Sequence, residues 1–184
     1  MRSDDALMQV LAQGAEPARE RAFAELVERH AEGLTAFVWR LTGDRAFADD
    51  VVQETFLRVF TARERYQPGK ASFRTWLYRI GRNQALNTLR RQRVRRSERL
   101  LEAADPQRGS PLEGLIGGED VAQLRDALDA LAPADREVIE LRYYQGMSFA
   151  EVGEVLGARA SAVKQRAWRC LKRLGACLGG EERT

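Results

Sequence analysis

The sequence SFAEVGEVLGARASAVKQRAWRCLKRL occupies residues 148–174 and carries the signals of a helix, a tight turn and a second helix, in that order. Ser148 and Glu151 have capping-box spacing, in which the hydroxyl and the carboxylate each satisfy a backbone amide at a helix start. Gly157 suits the position after a helix end, where the left-handed conformation costs glycine least. A second helix is predicted over residues 161–174. This order predicts a helix-turn-helix motif.

The second of these helices is apolar on one side and basic on the other. The predicted apolar scaffold of the motif is Phe149, Val152, Val155, Leu156, Val163, Ala167 and Leu171. The candidate DNA-contacting side chains are Lys164, Gln165, Arg166, Trp168, Arg169 and Lys172. Lysine and arginine neutralise phosphates, and arginine also reads guanine edges through two hydrogen bonds. The competing interpretation is a solvated charged helix on an ordinary helical bundle.

The charge of the chain is distributed unevenly. Over 184 residues the formal net charge is only +3, and apolar residues make up 44%, enough for packed cores. Residues 74–99 contain nine arginines and a single acid, Glu98, and residues 164–173 contain five basic residues and no acid. Two separated basic stretches indicate two contacts with one polyanion, for which nucleic acid is the best candidate.

Helical periodicity extends over most of the remaining sequence. Apolar residues at three- and four-residue spacing predict helices over residues 19–41 and 46–61, a loop over 66–71, and a helix from the N-cap Ser72 to residue 93. Proline and glycine punctuate the segment between the two halves. We therefore predict an all-α protein of two small helical domains, residues 1–96 and 121–184, joined by a flexible linker at 97–120. In the second domain, helices are predicted over 121–131 and 133–144, ahead of the helix-turn-helix.

Aromatic residues alternate with arginines in FRTWLYRIGRN, residues 73–83. Trp76, Arg79 and Asn83 share a helical face, and such a face can stack exposed bases and hold their backbone. Leu77, Ile80 and Tyr78 are assigned to the core. The alternative, an aromatic core with solvated arginines, stays open on the residues alone. The basic residues at 90–96 favour a phosphate clamp.

An acidic helix precedes this segment and reads DDVVQETFLR at residues 49–58. Asp49 and Gln53 share a face, as do Asp50 and Glu54. A solvated surface is the simplest interpretation, and a protein-docking surface is the next. A catalytic site is disfavoured because no histidine or third acid is near in the sequence.

Composition argues against a metal, a cofactor or a membrane anchor. Cys170, Cys177 and His30 are too few for a cysteine–histidine metal cluster, and all three are assigned structural roles, with a redox-sensing cysteine pair as the alternative. Residues 1–5 lack the apolar core of a signal peptide, and no apolar run approaches about 20 residues. A cytoplasmic location is expected.

Together these motifs resemble the extracytoplasmic-function (ECF) group of bacterial RNA polymerase sigma factors. Residues 49–57 and 73–83 resemble sigma region two, and residues 131–138, 146–152 and 163–166 resemble region four. The resemblance covers about residues 20–96 and 121–176. It implies a non-enzymatic initiation factor that binds core RNA polymerase and promoter DNA and is held inactive by an anti-sigma factor.

The resemblance also implies a role for each surface. The acidic helix would dock on the clamp helices of the polymerase large subunit through Asp49, Asp50, Gln53, Glu54, Leu57 and Arg58. Minus-ten strand capture would use Lys70, Ser72, Arg74, Trp76, Arg79, Asn83, Arg90 and Arg91. Minus-thirty-five recognition would use Ser161, Lys164, Gln165, Arg166, Trp168, Arg169 and Lys172, while the apolar side of region four meets the polymerase flap.

Two positions depart from the pattern of the family. Ser161 and Ala162 stand before Val163 where Gly-Thr is usual, which shifts a phosphate-contacting hydroxyl by one residue. Gly81 replaces the usual alanine at a cost of about 1 kcal/mol in helix propensity. We expect Gly81 to permit a close approach to backbone or base.

Two other functions compete with this interpretation. A helix-turn-helix regulator that binds duplex DNA without polymerase would leave the acidic helix and the Trp76 helix unexplained. A nucleic-acid enzyme would need an acid cluster with metal-binding spacing, which the sequence does not offer.

Overall fold

The computed structural model describes residues 2–99, 127–128 and 130–178. The chain divides into two compact units, Met1–Arg108 and Gly109–Thr184. Regular structure in the described ranges is helical, and the all-α prediction is confirmed. The predicted linker lies outside the described residues apart from 97–99, and so does most of the helix predicted over 121–131. Among the described residues, no helix is long and apolar enough to cross a membrane.

Over residues 2–99 the first unit consists of four α-helices and a short 3-10 turn. Their bounds are Asp4–Gln13 (α1), Ala18–Thr42 (α2), Arg45–Thr61 (α3), Arg63–Arg65 (the 3-10 turn) and Phe73–Arg99 (α4). The predicted bounds of α2 and α3 agree with these to within one residue. The predicted end of α4 at residue 93 is wrong, because the helix continues six residues further. The helix α1 was not predicted.

Side-chain caps fix where α1, α3 and α4 begin. Ser3 accepts a hydrogen bond from the Ala6 amide at 3.2 Å, and Asp44 accepts one from the Phe47 amide at 3.0 Å. The predicted N-cap of α4 is confirmed, since Ser72 Oγ accepts from the Thr75 amide at 3.2 Å. Each cap satisfies an amide that has no partner within its own helix.

The core of the first unit is formed by apolar faces of all four helices. Its largest fully buried side chains are Leu7, Met8, Leu11, Leu26, Leu34, Phe37, Val38, Phe73, Leu77 and Tyr78. Gly81 lies in this core, and a Cβ added there would lie 3.0 Å from Leu34 Cδ1 and 3.6 Å from Thr55 Cγ2. Gly81 therefore lets α4 pack closely against α2 and α3. The expectation that Gly81 permits close approach of a backbone or a base is wrong, because its neighbours are these two side chains.

The second unit contains α5 (Pro133–Ile139), a π-helical turn (Glu140–Tyr144), α6 (Phe149–Leu156) and α7 (Ala160–Leu178). Pro133 stands in the first turn of α5, as predicted. The helix predicted over 133–144 is not uniform, because the Gln145 amide bonds the Glu140 carbonyl at 2.9 Å, five residues back. One core cluster of this unit contains Leu131, Ile139, Cys170 and Leu174, with Ala127 and Leu128 packed against it.

The packing of α7 corrects one scaffold residue. Leu171 was predicted to be buried, but it is 44% exposed. Cys170 and Leu174 are buried instead, so the apolar face is rotated by about one residue at this end of the helix. Burial, with a smaller contribution from Asp135, raises the pKa of the Cys170 thiol. A buried thiol with a raised pKa is unreactive, which fits the structural role predicted for Cys170.

Candidate nucleic-acid interface

The predicted cap sets the start of α6, and two glycines shape the turn that follows it. The capping box of Ser148 and Glu151 is complete, with hydrogen bonds of 3.2 and 2.8 Å. Gly157 ends α6 in the left-handed conformation at φ 68°, as predicted. Gly153 permits the tight turn, because a Cβ there would lie 2.6 Å from the carbonyl oxygen of Ala158. The sequence analysis missed Gly153, since only the fold brings residue 158 against it.

Most of the side chains predicted to contact DNA lie exposed on α7. Trp168 is 63% exposed, and Lys172 Nζ lies 5.5 Å from the centre of its ring. The other exposed members of the set are Ser161, Lys164, Gln165 and Arg169. Side chains at these positions combine positive charge, amide hydrogen-bonding groups and a flat apolar ring on one exposed helix. These are the groups that contact phosphates, base edges and thymine methyls.

Arg166 differs from its neighbours on α7. Its side chain is only partly exposed, and its Nε lies 3.5 Å from Oδ1 of Asp135 in the first turn of α5. Arg173 approaches the other oxygen of the same carboxylate, at 3.9 Å. Asp135 therefore lies between two arginines of α7, and sequence reasoning did not find it because it is 31 residues before Arg166.

In the first unit, the loop between the 3-10 turn and α4 lies against an aromatic cluster. Tyr66, Phe73 and Trp76 form this cluster, with ring centres 5.3 Å apart for Tyr66–Trp76, 6.2 Å for Tyr66–Phe73 and 6.3 Å for Phe73–Trp76. Trp76 is half-buried, and its ring packs on Tyr66 and Phe73. This packing is that of an aromatic core, and the base-stacking face stays a prediction.

The remaining residues of the minus-ten set are spread along the loop and α4. Lys70, Ser72, Arg79, Asn83, Arg90 and Arg91 are exposed. Arg74 is half-buried, with its guanidinium 5.8 Å from the centre of the Tyr78 ring. Arg90 lies about 21 Å from Trp76 along the helix axis, so the far arginines cannot hold the same nucleotide as Trp76.

His30 has the structural role predicted for it. Its Nε2 lies 2.7 Å from Asp4 Oδ2, and its ring packs edge-on against Phe73 at 5.3 Å. Asp4 also accepts a hydrogen bond from Arg29 at 2.8 Å. The first turn of α1 is thereby tied to α2, next to the aromatic cluster.

The acidic helix presents a mixed surface of charged and apolar groups. Asp49, Asp50, Gln53, Leu57 and Arg58 are exposed, and Glu54 is partly so. Arg58 Nε lies 2.9 Å from Glu54 Oε1, and Arg45 Nε lies 3.8 Å from Asp49 Oδ1. These exposed i,i+4 pairs contribute little to stability.

A groove runs between α3 and α4 beside these residues. It is lined by Phe47, Asp50, Val51, Glu54, Arg58, Gln84, Thr88 and Arg91. The structure therefore brings Arg91, assigned to the minus-ten strand by the resemblance, together with residues assigned to polymerase. In the described part of the chain, no three histidine, cysteine or acidic side chains are grouped as metal ligands.

Each of the two units matches a known protein family. Residues 26–95 match Sigma-70 region 2, and residues 127–175 match Sigma-70 region 4. The ECF RNA polymerase sigma factor SigL of Mycobacterium tuberculosis is 34% identical over 154 residues, which cover 83% of this chain and 86% of SigL. The chain belongs to the ECF sigma factors. Members of this family are transcription initiation factors.

Two further relatives extend the comparison. This ECF sigma factor is 37% identical over 151 residues to SigE of Mycolicibacterium smegmatis, covering 79% of its own length and 57% of SigE. The solved structure of CnrH in complex with the cytosolic domain of CnrY has a TM-score of 0.70 and 30% identity. That similarity covers 98% of this chain and 100% of CnrH, and it supports the helical fold of the sigma factor.

Proposed function

We propose that this sigma factor directs core RNA polymerase to promoters in the cytoplasm and helps to open the DNA there. The observation that carries the proposal is the exposed face of α3. Leu57 is 61% exposed among carboxylates and Arg58, a combination that a duplex-binding regulator does not need. Negative charge on this face would repel DNA, whereas a protein surface can accommodate both its charges and its leucine.

Each unit has one DNA contact in this proposal. The second unit reads the minus-thirty-five duplex with the exposed face of α7. The first unit captures the melted minus-ten strand with the loop 66–72, Trp76 and the exposed side of α4. Opening is driven by binding energy, because base stacking on protein and phosphate contacts offset the lost stacking of the duplex.

An anti-sigma factor is the proposed regulator. CnrH has been solved with the cytosolic domain of CnrY, and the present chain resembles CnrH over nearly its whole length. An anti-sigma factor that covered α3 or α7 would block polymerase or promoter, respectively.

Leu57→Ala tests the docking surface on α3. We expect the affinity for core polymerase to fall about fivefold, since a buried apolar anchor in an interface contributes about 1 kcal/mol or more. The melting temperature should not change, because the side chain is exposed in the free protein. Fluorescence titration of labelled sigma factor with core polymerase measures the affinity. Leu57→Met, which keeps an apolar side chain of similar volume at the same position, is the control and should bind polymerase like the wild type. Unchanged affinity in Leu57→Ala would argue against a docking role for α3.

Arg169→Ala tests the duplex contact of α7. We expect the holoenzyme to bind the upstream element about tenfold more weakly, as for loss of one arginine contact to a base or phosphate. If the contact is to phosphate, the slope of log affinity against log salt should also fall by about one. Arg21→Ala makes the same charge change in α2 and is the control. Unchanged affinity for Arg169→Ala would remove this residue from the readout set.

A further inference from the structure

The N-terminal helix touches the loop 66–72 through one buried tyrosine. The Tyr66 hydroxyl donates to Asp5 in the first turn of α1, 61 residues earlier in the chain. Tyr66 is only 9% exposed, and its ring is the one that lies 5.3 Å from Trp76. Tyr66 thus links α1 directly to the aromatic cluster.

The same hydroxyl also reaches the far end of the loop, because it lies 3.2 Å from the carbonyl oxygen of Ala71. A phenol has one proton, and an ionised carboxylate is the stronger acceptor, so Asp5 takes the main share of that hydrogen bond. Burial, followed by the hydrogen bond to Asp5, raises the pKa of Tyr66, and the hydroxyl therefore stays protonated as a donor. Asp5 therefore fixes the position of the Tyr66 hydroxyl, which lies beside the Ala71 carbonyl at the end of the loop.

The two neighbouring carboxylates of α1 have different partners. Asp4 bonds Arg29 and His30 on α2, whereas Asp5 bonds Tyr66. The helix itself is anchored by the fully buried Leu7, Met8 and Leu11. Loss of either carboxylate should therefore leave α1 docked, and only loss of Asp5 should act on the loop.

We propose that Asp5, acting through Tyr66, is a positioning residue for minus-ten strand capture. The inference rests on the proposed strand-capture role of the loop and Trp76. Asp5 lies outside the Sigma-70 region 2 match, which begins at residue 26, so the family match assigns it no role. The hydrogen bond fixes the positions of the loop 66–72 and the Trp76 ring in the free protein. This preorganisation lowers the conformational-entropy cost of binding an unstacked strand.

The test uses full-length sigma factor with core polymerase and a promoter obtained by run-off selection from a random pool. Tyr66→Phe removes the hydroxyl and keeps the ring, and Asp5→Ala removes its acceptor. Asp4→Ala is the matched control, with the same charge change in the same turn. Permanganate reactivity of minus-ten thymines reports opening, and a fluorescent single-stranded oligonucleotide of the same sequence reports strand affinity. Affinity for core polymerase is measured alongside.

We expect Tyr66→Phe and Asp5→Ala to reduce strand affinity and opening roughly fivefold, which is the size of one lost hydrogen bond. Affinity for core polymerase should stay within about twofold of the wild type, as should every readout for Asp4→Ala. Asp5→Asn keeps an acceptor oxygen without the charge, and we expect it to restore part of the loss. This conservative variant also serves if Asp5→Ala does not fold.

Wild-type opening by both Tyr66→Phe and Asp5→Ala would overturn the positioning role while leaving the proposed function intact. An equal loss in Asp4→Ala and Asp5→Ala would overturn it as well, because the effect would then belong to the docking of α1 in general. If the wild-type holoenzyme opened no promoter, the strand-capture function would fail, and the inference with it.

Discussion

Trp76→Ala should reduce promoter opening by at least about tenfold while core polymerase still binds. Stacking of one base on an aromatic side chain contributes about 1–3 kcal/mol, and Trp76 is partly exposed beside Tyr66, the first residue of the loop 66–72. The acidic face of α3, proposed for polymerase, does not include Trp76. Permanganate footprinting on duplex promoter, with polymerase affinity measured in parallel, separates the two steps.

Part of the Trp76 ring packs on Tyr66 and Phe73, so the alanine variant also leaves a gap in the aromatic cluster. Trp76→Phe is the control, because it retains an aromatic face and much of the packing. We expect it to keep most of the opening activity. Equal losses of opening and polymerase binding in Trp76→Ala would count against strand capture.

Gly153→Ala should destabilise the second unit and weaken binding at the upstream element. The added Cβ would lie 2.6 Å from the Ala158 carbonyl oxygen, a backbone atom that cannot move unless the turn between α6 and α7 opens. The Ala158 amide donates to the Gly153 carbonyl at 2.8 Å, and opening the turn in the alanine variant would stretch this hydrogen bond as well. We expect a net loss of about 1–2 kcal/mol in unfolding free energy, as for overpacking of a core position.

Gly175→Ala is the matched control in the same unit. A Cβ at Gly175 meets nothing within 4 Å, and the residue lies inside α7. Replacing a helical glycine with alanine should therefore stabilise α7 by up to about 1 kcal/mol. The two substitutions are chemically identical and are expected to have opposite signs in thermal denaturation. A stabilised Gly153→Ala variant would contradict the close approach at the turn.

Local signals explain why much of the fold was predictable. The capping box of Ser148, the left-handed Gly157, Pro133 at the start of α5 and the N-cap Ser72 each act within a few residues, and each lies where the sequence indicated. The long periodic helices α2 and α3 were found to within one residue. Such features are encoded by neighbours in the chain and depend little on distant packing.

The N-terminal helix was missed although its signals are present. Ser3 as a cap, two aspartates in the first turn, and Leu7, Met8 and Leu11 at helical spacing all favour a helix. The segment is only ten residues long, and residues 1–5 were considered only for their lack of a signal-peptide core, so no helix was predicted there. Its stability comes from burial against the bundle, which periodicity alone does not reveal.

Contacts between distant residues explain the other failures. Three features bring together elements that are distant in the sequence: the pairing of Arg166 with Asp135, the groove lined by both Arg91 and Asp50, and the hydrogen bond from Tyr66 to Asp5. Cys170 is buried where Leu171 was expected to be, because the rotation of α7 about its axis is set by its packing on α5. The Gly81 contact with Leu34 likewise depends on how two helices cross. Sequence periodicity gives a helix face, and only the fold decides what that face touches.

The central claim is most directly tested by transcription in vitro. Core RNA polymerase, with or without the purified chain, is given a randomised pool of duplex promoters, and the run-off transcripts are sequenced. The account predicts transcripts that appear only with the chain, start at defined positions and share two upstream elements. No complex with core polymerase, together with tight binding of the chain alone to a defined duplex, would contradict it.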